Sequence, residues 1–244
     1  MAEITNFTFD TEREAHESLW MQKEVVAFEA SDRMIASAGG LLAVAGPMES
    51  GKSTVLIMIE EHLLARGVDP AEIRWFKPEI RFGDELISDD PTIYIRDNGE
   101  VHADLLTAQS QLSEENLPAG SYVLIDEGQF LPDQIRAMIV SANWKERRVN
   151  VVVTGLDKWH HGGGWESMHE VMNAADEVFY LNALCDADGC LNIAAHTQQL
   201  VDGEHNPRGP DVAIRAEDED TNASVVMAYD ARCPEHHVGL EREI

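Results

Sequence analysis

Leu41-Leu42-Ala43-Val44-Ala45-Gly46-Pro47-Met48-Glu49-Ser50-Gly51-Lys52-Ser53-Thr54 joins five apolar residues to a tight, glycine-bearing turn. The apolar run is the right length for a strand buried on both faces. Residues 46–53 then satisfy G-x-x-x-x-G-K-[ST]. That spacing lets backbone amides curl inward around an anion, and the dipole of the following helix adds positive potential. Lys52 is placed to reach the β- and γ-phosphates of a nucleotide, and the Ser53 hydroxyl to take a position on Mg²⁺. Val55, Ile59 and Leu63 share one helical face, so a helix is expected over Ser53–Arg66, ending at Gly67.

The alternation continues downstream. Strands are expected at Ile73–Lys77, Tyr122–Asp126, Val149–Thr154 and Glu177–Leu181, with helices at Asp104–Ser113, Asp133–Asn143 and Trp165–Ala175. Strands alternating with helices imply an α/β domain with a mostly parallel sheet flanked by helices, a P-loop NTPase-like (RecA-like) architecture. Ile125-Asp126-Glu127 ends the third strand. Asp126 is a Walker B acid for the Mg²⁺ shell, and Glu127, pointing elsewhere, is positioned to take a proton from an attacking water or a substrate hydroxyl. A helix is also expected at Thr11–Ala30, capped by Asp10 or Thr11, in a segment (1–38) that reads as an extension of the main domain (39–183).

Charge narrows the function. The chain has 244 residues, with Lys+Arg 18 against Asp+Glu 45, a formal net charge of -27. Its lysines are Lys23, Lys52, Lys77, Lys145 and Lys158 alone. Such a balance disfavours nucleic acid and anionic membranes as partners, since phosphate backbones call for a basic footprint. Neither an apolar span of about 20 residues nor a secretory leader pattern is present, so a cytoplasmic protein is expected. An acidic, lysine-poor surface also suits a high-salt cytoplasm, where net charge opposes association.

All three cysteines fall beyond Leu184. Cys185 and Cys190 form one short-spaced pair, and Cys233 with His236 forms another, His237 being adjacent. Two distant pairs are how a structural Zn²⁺ site is assembled, and they would pin a loop from about 191 to 232 within a small module, 184–244. His160-His161 beside Gly162-Gly163-Gly164 marks a loop that either closes over a ligand or is plain surface.

These segments resemble the zinc-bearing, tetrameric thymidine kinases. Gly46-Pro47-Met48 with Ser50-Gly51-Lys52-Ser53-Thr54 is similar to the family's GPM-x-SGKST, and Ile125 to Phe130 resembles its IDEGQF. Arg81-Phe82 after Lys77-Pro78, Gly155-Leu156-Asp157, Thr197 with Leu200, and Tyr229 to Cys233 with His236-His237 continue the likeness over roughly residues 41–240. The resemblance implies transfer of the ATP γ-phosphate to the 5′-hydroxyl of thymidine by a homotetramer. Glu127 would be the general base, with Lys52 and Arg81 stabilising the transferred charge. ATP would lie on Gly46, Pro47, Met48, Glu49, Ser50, Gly51, Lys52, Ser53 and Thr54, with Asp126 and Gln129 nearby. Met48, Phe130, Leu156, Trp165, Thr197 and Tyr229 would line the thymine pocket. Cys185, Cys190, Cys233 and His236 (or His237) would hold zinc under a lasso closing over the nucleoside. The chain departs from the pattern at Glu49, an acid inside the phosphate loop that must face solvent or a cation, and at Gln199, Val225-Val226 and the wider C-x₄-C pair. These departures leave open a deoxynucleoside kinase of other or broader specificity, or an ATPase whose zinc knuckle binds a partner.

Overall fold

The computed structural model describes residues 8–82, 85–95, 99–113, 115–206 and 227–239. Its elements in chain order are α1 (Glu12–Ala36), β1 (Gly40–Ala45), α2 (Lys52–Ala65), β2 (Ile73–Pro78), β3 (Ile80–Phe82), β4 (Glu85–Ser88), β5 (Thr92–Ile95), β6 (Gly99–His102) and β7 (Asp104–Leu106). There follow β8 (Tyr122–Ile125), α3 (Asp133–Ser141), α4 (Trp144–Arg147), β9 (Asn150–Gly155), α5 (Glu166–Ala174) and β10 (Glu177–Tyr180). The chain closes with β11 (Ala183–Leu184), β12 (Ile193–Ala194), β13 (His196–Val201), β14 (Glu204–His205) and β15 (Met227–Arg232).

Six strands form one sheet in the order β10-β1-β9-β8-β2-β7, and every pairing in it is parallel. Because strand side chains alternate between faces, two cores result. Leu42, Val44, Leu124 and Val152 meet α1 and α2 on one face. Ala43, Val123, Ile125, Val151 and Val153 meet α3 and α5 on the other. A sheet covered on both sides explains why β1, β8 and β9 are apolar almost throughout.

The expected helix at Asp104–Ser113 is not formed. Asp104–Leu106 is instead the edge strand β7, paired with β2. The chain turns at once because Ser110 Oγ accepts from Thr107 N (2.9 Å) and Thr107 Oγ1 accepts from Gln109 N (3.2 Å). These local side-chain bonds offer the backbone an alternative to the helical ladder. Two hairpins, β3-β4 and β5-β6, occupy a stretch where the sequence pattern suggests no element.

α1 runs six residues beyond its expected end and is capped by Thr11, whose Oγ1 accepts from Glu14 N (3.2 Å). Ala27, Ala30 and Met34 bury it against α2. Gln22 holds it to the sheet edge, donating to the Tyr180 carbonyl and accepting from Asn182 N, each at 3.1 Å. At its start, Phe9 N donates to the Leu191 carbonyl (3.1 Å), reaching the cysteine module. The segment read as an extension therefore packs on both other parts of the chain. Met34 is 1% exposed, so Met34→Ala should cost about 2–4 kcal/mol in denaturant unfolding; a loss below about 0.5 kcal/mol would mean that α1 contributes little to the folded state.

Candidate functional site

Every parallel strand delivers its C-terminal end to the same edge of the sheet, where open α/β folds bind ligands. The phosphate loop follows β1 there, with Gly51 at φ 83 capping α2. Ser53 Oγ donates to Asp126 Oδ2 (2.6 Å), while Asp126 Oδ1 accepts from Thr154 Oγ1 (2.6 Å) and Glu127 N (3.0 Å). Asp126 is thus held from α2, from β9 and by the backbone that follows it, and is itself buried. Lys52 Nζ donates to the carbonyls of Pro47 (2.6 Å) and Gly46 (3.1 Å).

Glu127 sits at φ 55, a left-handed conformation that costs a non-glycine residue on the order of 1 kcal/mol and must be held by its surroundings. Gln129 Nε2 donates to its Oε2, while Gln129 Oε1 accepts from Leu156 N (2.9 Å). Burial, and then the Asp126 charge, push the Glu127 carboxyl up, against the pull of Lys52. Burial likewise pulls the Lys52 ammonium down, against Glu127 and Asp126. A carboxylate with raised proton affinity beside a phosphate-loop lysine suits a general base for a hydroxyl.

A cleft of about 1070 Å³ opens over these groups. Met48, Glu49, Gly51, Lys52, Ser53, Thr54, Glu127 and Gln129 line it, and so do Phe130, Leu156, Trp165, Thr197 and Tyr229, the remaining members of the expected base pocket. Trp165 stacks on Trp159 and meets Phe130 edge-on, an aromatic wall of the cleft against which a planar base can pack. Thr197 Oγ1 accepts from Met48 N (3.0 Å), joining the cysteine module to the phosphate loop. Gly46, Pro47, Ser50 and Asp126 lie behind this lining as its framework. Glu49, at φ 64, is exposed, as an acid in this loop requires. Arg81 is elsewhere: its Nε donates to Glu79 Oε2 (3.0 Å), and it lines an adjoining cavity of about 750 Å³ behind Phe130 and Trp165. The glycine-rich loop is closed on itself, Trp159 N donating to the Gly163 carbonyl (2.6 Å).

Residues that sequence reasoning missed also stand here. Thr154 orients Asp126 from β9, and its only signal was a polar residue at the end of an apolar strand. Lys158, Trp159, and Glu12, His16, Trp20 and Lys23 from α1 line the cleft as well. The α1 residues recur at helical spacing, but nothing in the sequence showed where that face would land.

Cys185, Cys190, Cys233 and His236 bring their donor atoms within 4.8 Å of one another. Cys190 Sγ lies 4.0 Å from Cys233 Sγ, and His236 Nδ1 lies 3.3 and 3.6 Å from the sulfurs of Cys233 and Cys185. Ligands on a tetrahedron with Zn–S near 2.3 Å stand about 3.8 Å apart, so three thiols and one imidazole fit zinc. His236 brings the fourth donor atom into the cluster, whereas His237 turns away, Nε2 donating to the His160 carbonyl (2.7 Å). The wide C-x₄-C loop has a purpose, since Asp186 Oδ2 accepts from Ala231 N (2.6 Å) and ties the loop to β15. The Val225-Val226 departure lies outside the described residues.

A phosphate loop before a helix, the buried acid Asp126 after β8 and the neighbouring Glu127 carboxylate in a cleft with an aromatic wall are the parts of a P-loop phosphotransferase. Comparison narrows the class. The family model described as thymidine kinase matches residues 39–237, and the chain belongs to the thymidine kinase family. It is also similar to a thymidine kinase of Thermococcus kodakarensis, 29% identical over 210 residues, which cover 82% of this chain and 95% of that protein.

Two outcomes test the site. Cys233→Ser and His236→Ala should each lose bound zinc by elemental analysis, while His237→Ala keeps it; full zinc in His236→Ala would displace the ligand assignment. His196, which stacks on His237, is held down to about 4 from its ordinary 6.5, first by burial and then by His237 and Lys158. Its unfolded form takes up a proton that the folded form refuses, so stability falls as pH drops from about 6.5 to 4. The melting temperature of His196→Gln should fall less over that window than that of the unaltered protein.

Proposed function

We propose that the protein transfers the γ-phosphoryl group of ATP to the 5′-hydroxyl of thymidine, giving dTMP and ADP. The observation that carries this reading is one cleft lined both by Lys52, Ser53 and Glu127 and by the aromatic cluster of Phe130 and Trp165. Family membership supports thymidine as the occupant beside these aromatics.

In this reading the phosphate-loop amides and Lys52 cradle the triphosphate. Mg²⁺ held by Ser53 Oγ and Asp126 would neutralise charge on the β- and γ-oxygens when bound. Glu127 accepts the 5′-hydroxyl proton, the 5′-oxygen bonds to the γ-phosphorus, and the bond from that phosphorus to the bridging oxygen breaks, leaving ADP. Gln129 keeps Glu127 aimed. Holding the two substrates in line supplies most of the acceleration. Met48, Leu156, Thr197 and Tyr229 complete the base pocket, and the zinc-held module covers it. Arg81 belongs to the reading as a stabiliser of the transferred charge; facing the adjoining cavity, it stands second to Lys52. A homotetramer in the cytoplasm is part of the same proposal. Among the described residues no helix is long and apolar enough to cross a membrane.

The test is phosphoryl transfer from ATP to the four deoxynucleosides, at low salt and in molar KCl. Selective transfer to thymidine is expected, strengthened by KCl if the charge of -27 reflects a salty cytoplasm. Comparable transfer to several nucleosides would mean broader specificity. ATP hydrolysis without any acceptor, from folded protein, would overturn the kinase reading in favour of an ATPase with a zinc knuckle. Glu127→Gln should lower kcat by roughly 10²–10⁴ with little change in ATP affinity; near-normal kcat would remove its role as base.

A further inference from the structure

The matched family region begins at residue 39, yet α1 lies along the donor half of the cleft. Glu12, His16, Leu19, Trp20 and Lys23 fall on one helical face and line the cleft together with the phosphate loop. Gln22, on the neighbouring face, fixes the rotation of the helix through its two bonds to the sheet edge. Lys23 is thereby laid across Gly51. A Cβ built on that glycine would stand 2.5 Å from Lys23 Cε and 3.1 Å from Nζ. The lysine stem occupies the space that a side chain at position 51 would need, and its ammonium sits at the lip of the loop. Lys23 Nζ also lies over the Trp20 ring, 5.9 Å from its centroid.

Charge makes this placement informative. A chain of net charge -27 repels a triphosphate at long range, so the cations that meet it must be local. Three of the five lysines, Lys23, Lys52 and Lys158, line this one cleft. Lys158 is engaged with the Ala195 carbonyl (3.3 Å) and the Asp157 carboxylate (3.7 Å). Glu49 adds an acid to the loop itself, which makes a second cation there more valuable.

We propose that Lys23 of α1 is a phosphate-contacting residue of the ATP site, reaching over Gly51 to the phosphate chain, so that α1 forms a wall of the donor subsite. The proposal rests on the phosphate loop as the ATP site and is independent of which nucleoside accepts.

The test is calorimetric binding of Mg-ATP and, separately, of thymidine to the full chain and to Lys23→Gln, Lys23→Met and Lys23→Arg. Loss of a hydrogen bond between charged groups should weaken ATP roughly tenfold or more in the first two variants, whereas Lys23→Arg should stay within about threefold. Thymidine affinity should not change. Lys23→Met keeps the apolar stem over Gly51 and Trp20, so it carries the test if Lys23→Gln folds poorly. ATP affinity unchanged in Lys23→Met would overturn the proposal. So would an equal loss in Lys23→Arg, which would mark a packing role. If ATP binds as expected but thymidine neither binds nor is phosphorylated, the acceptor assignment fails while this proposal stands.

Discussion

The hydrogen bonds of the Asp126 carboxylate hold the site together. One oxygen accepts from Ser53 at the start of α2, the other from Thr154 at the end of β9 and from the backbone of Glu127. Because Asp126 is buried, each bond acts in a low dielectric and an unpaired carboxylate there would be costly. The network sets the distance between the phosphate loop and the strand end that bears Glu127. The chain makes a left-handed turn at Glu127, and Gln129 reaches back to hold the carboxylate.

Around that centre the fold solves an electrostatic problem. The acidic surface serves solubility, and the cleft must nevertheless receive an anion. Parallel strands bring loop amides, a helix N-terminus, Lys52 and Lys158 to one edge, α1 adds Lys23, and the acids Asp126 and Glu127 are held there by hydrogen bonds. The cysteine module and α1 both pack at this edge and line the same cleft. The first docks through Thr197 on the backbone of Met48, the second through Gln22 on the ends of β10 and the following turn. Phe9 and Leu191 join the two outside the sheet. Metal loss would therefore be felt at the phosphate loop as well as in the module.

Motifs whose chemistry is local were legible in the chain. The phosphate loop works through contiguous backbone amides, so residues 46–54 were enough to place it, and the buried strands declared themselves by unbroken apolar runs. The cysteines and His236 were readable as a cluster because two short-spaced pairs of thiol and imidazole ligands are how a structural zinc site is assembled, but the choice between His236 and His237 needed the turn after Cys233 to aim one ring inward. Asp104–Ser113 was misread as helix because propensity says nothing of Thr107 and Ser110 capturing the backbone, nor of β2 offering a free edge to Asp104–Leu106.

What no pattern in the chain could disclose was juxtaposition across long sequence separations. Thr154 meets Asp126, Thr197 meets Met48, and Lys23 crosses Gly51 only because strand order and helix docking bring them together. The residue types and spacings were sufficient for the chemistry of the site, since phosphate cradling, proton transfer and metal binding each demand particular groups at short range. The shape of the cleft, the side on which Arg81 falls, and the place of α1 in its wall were decided by packing. Packing energy is distributed over many apolar contacts, and none of them carries a recognisable signature of its own.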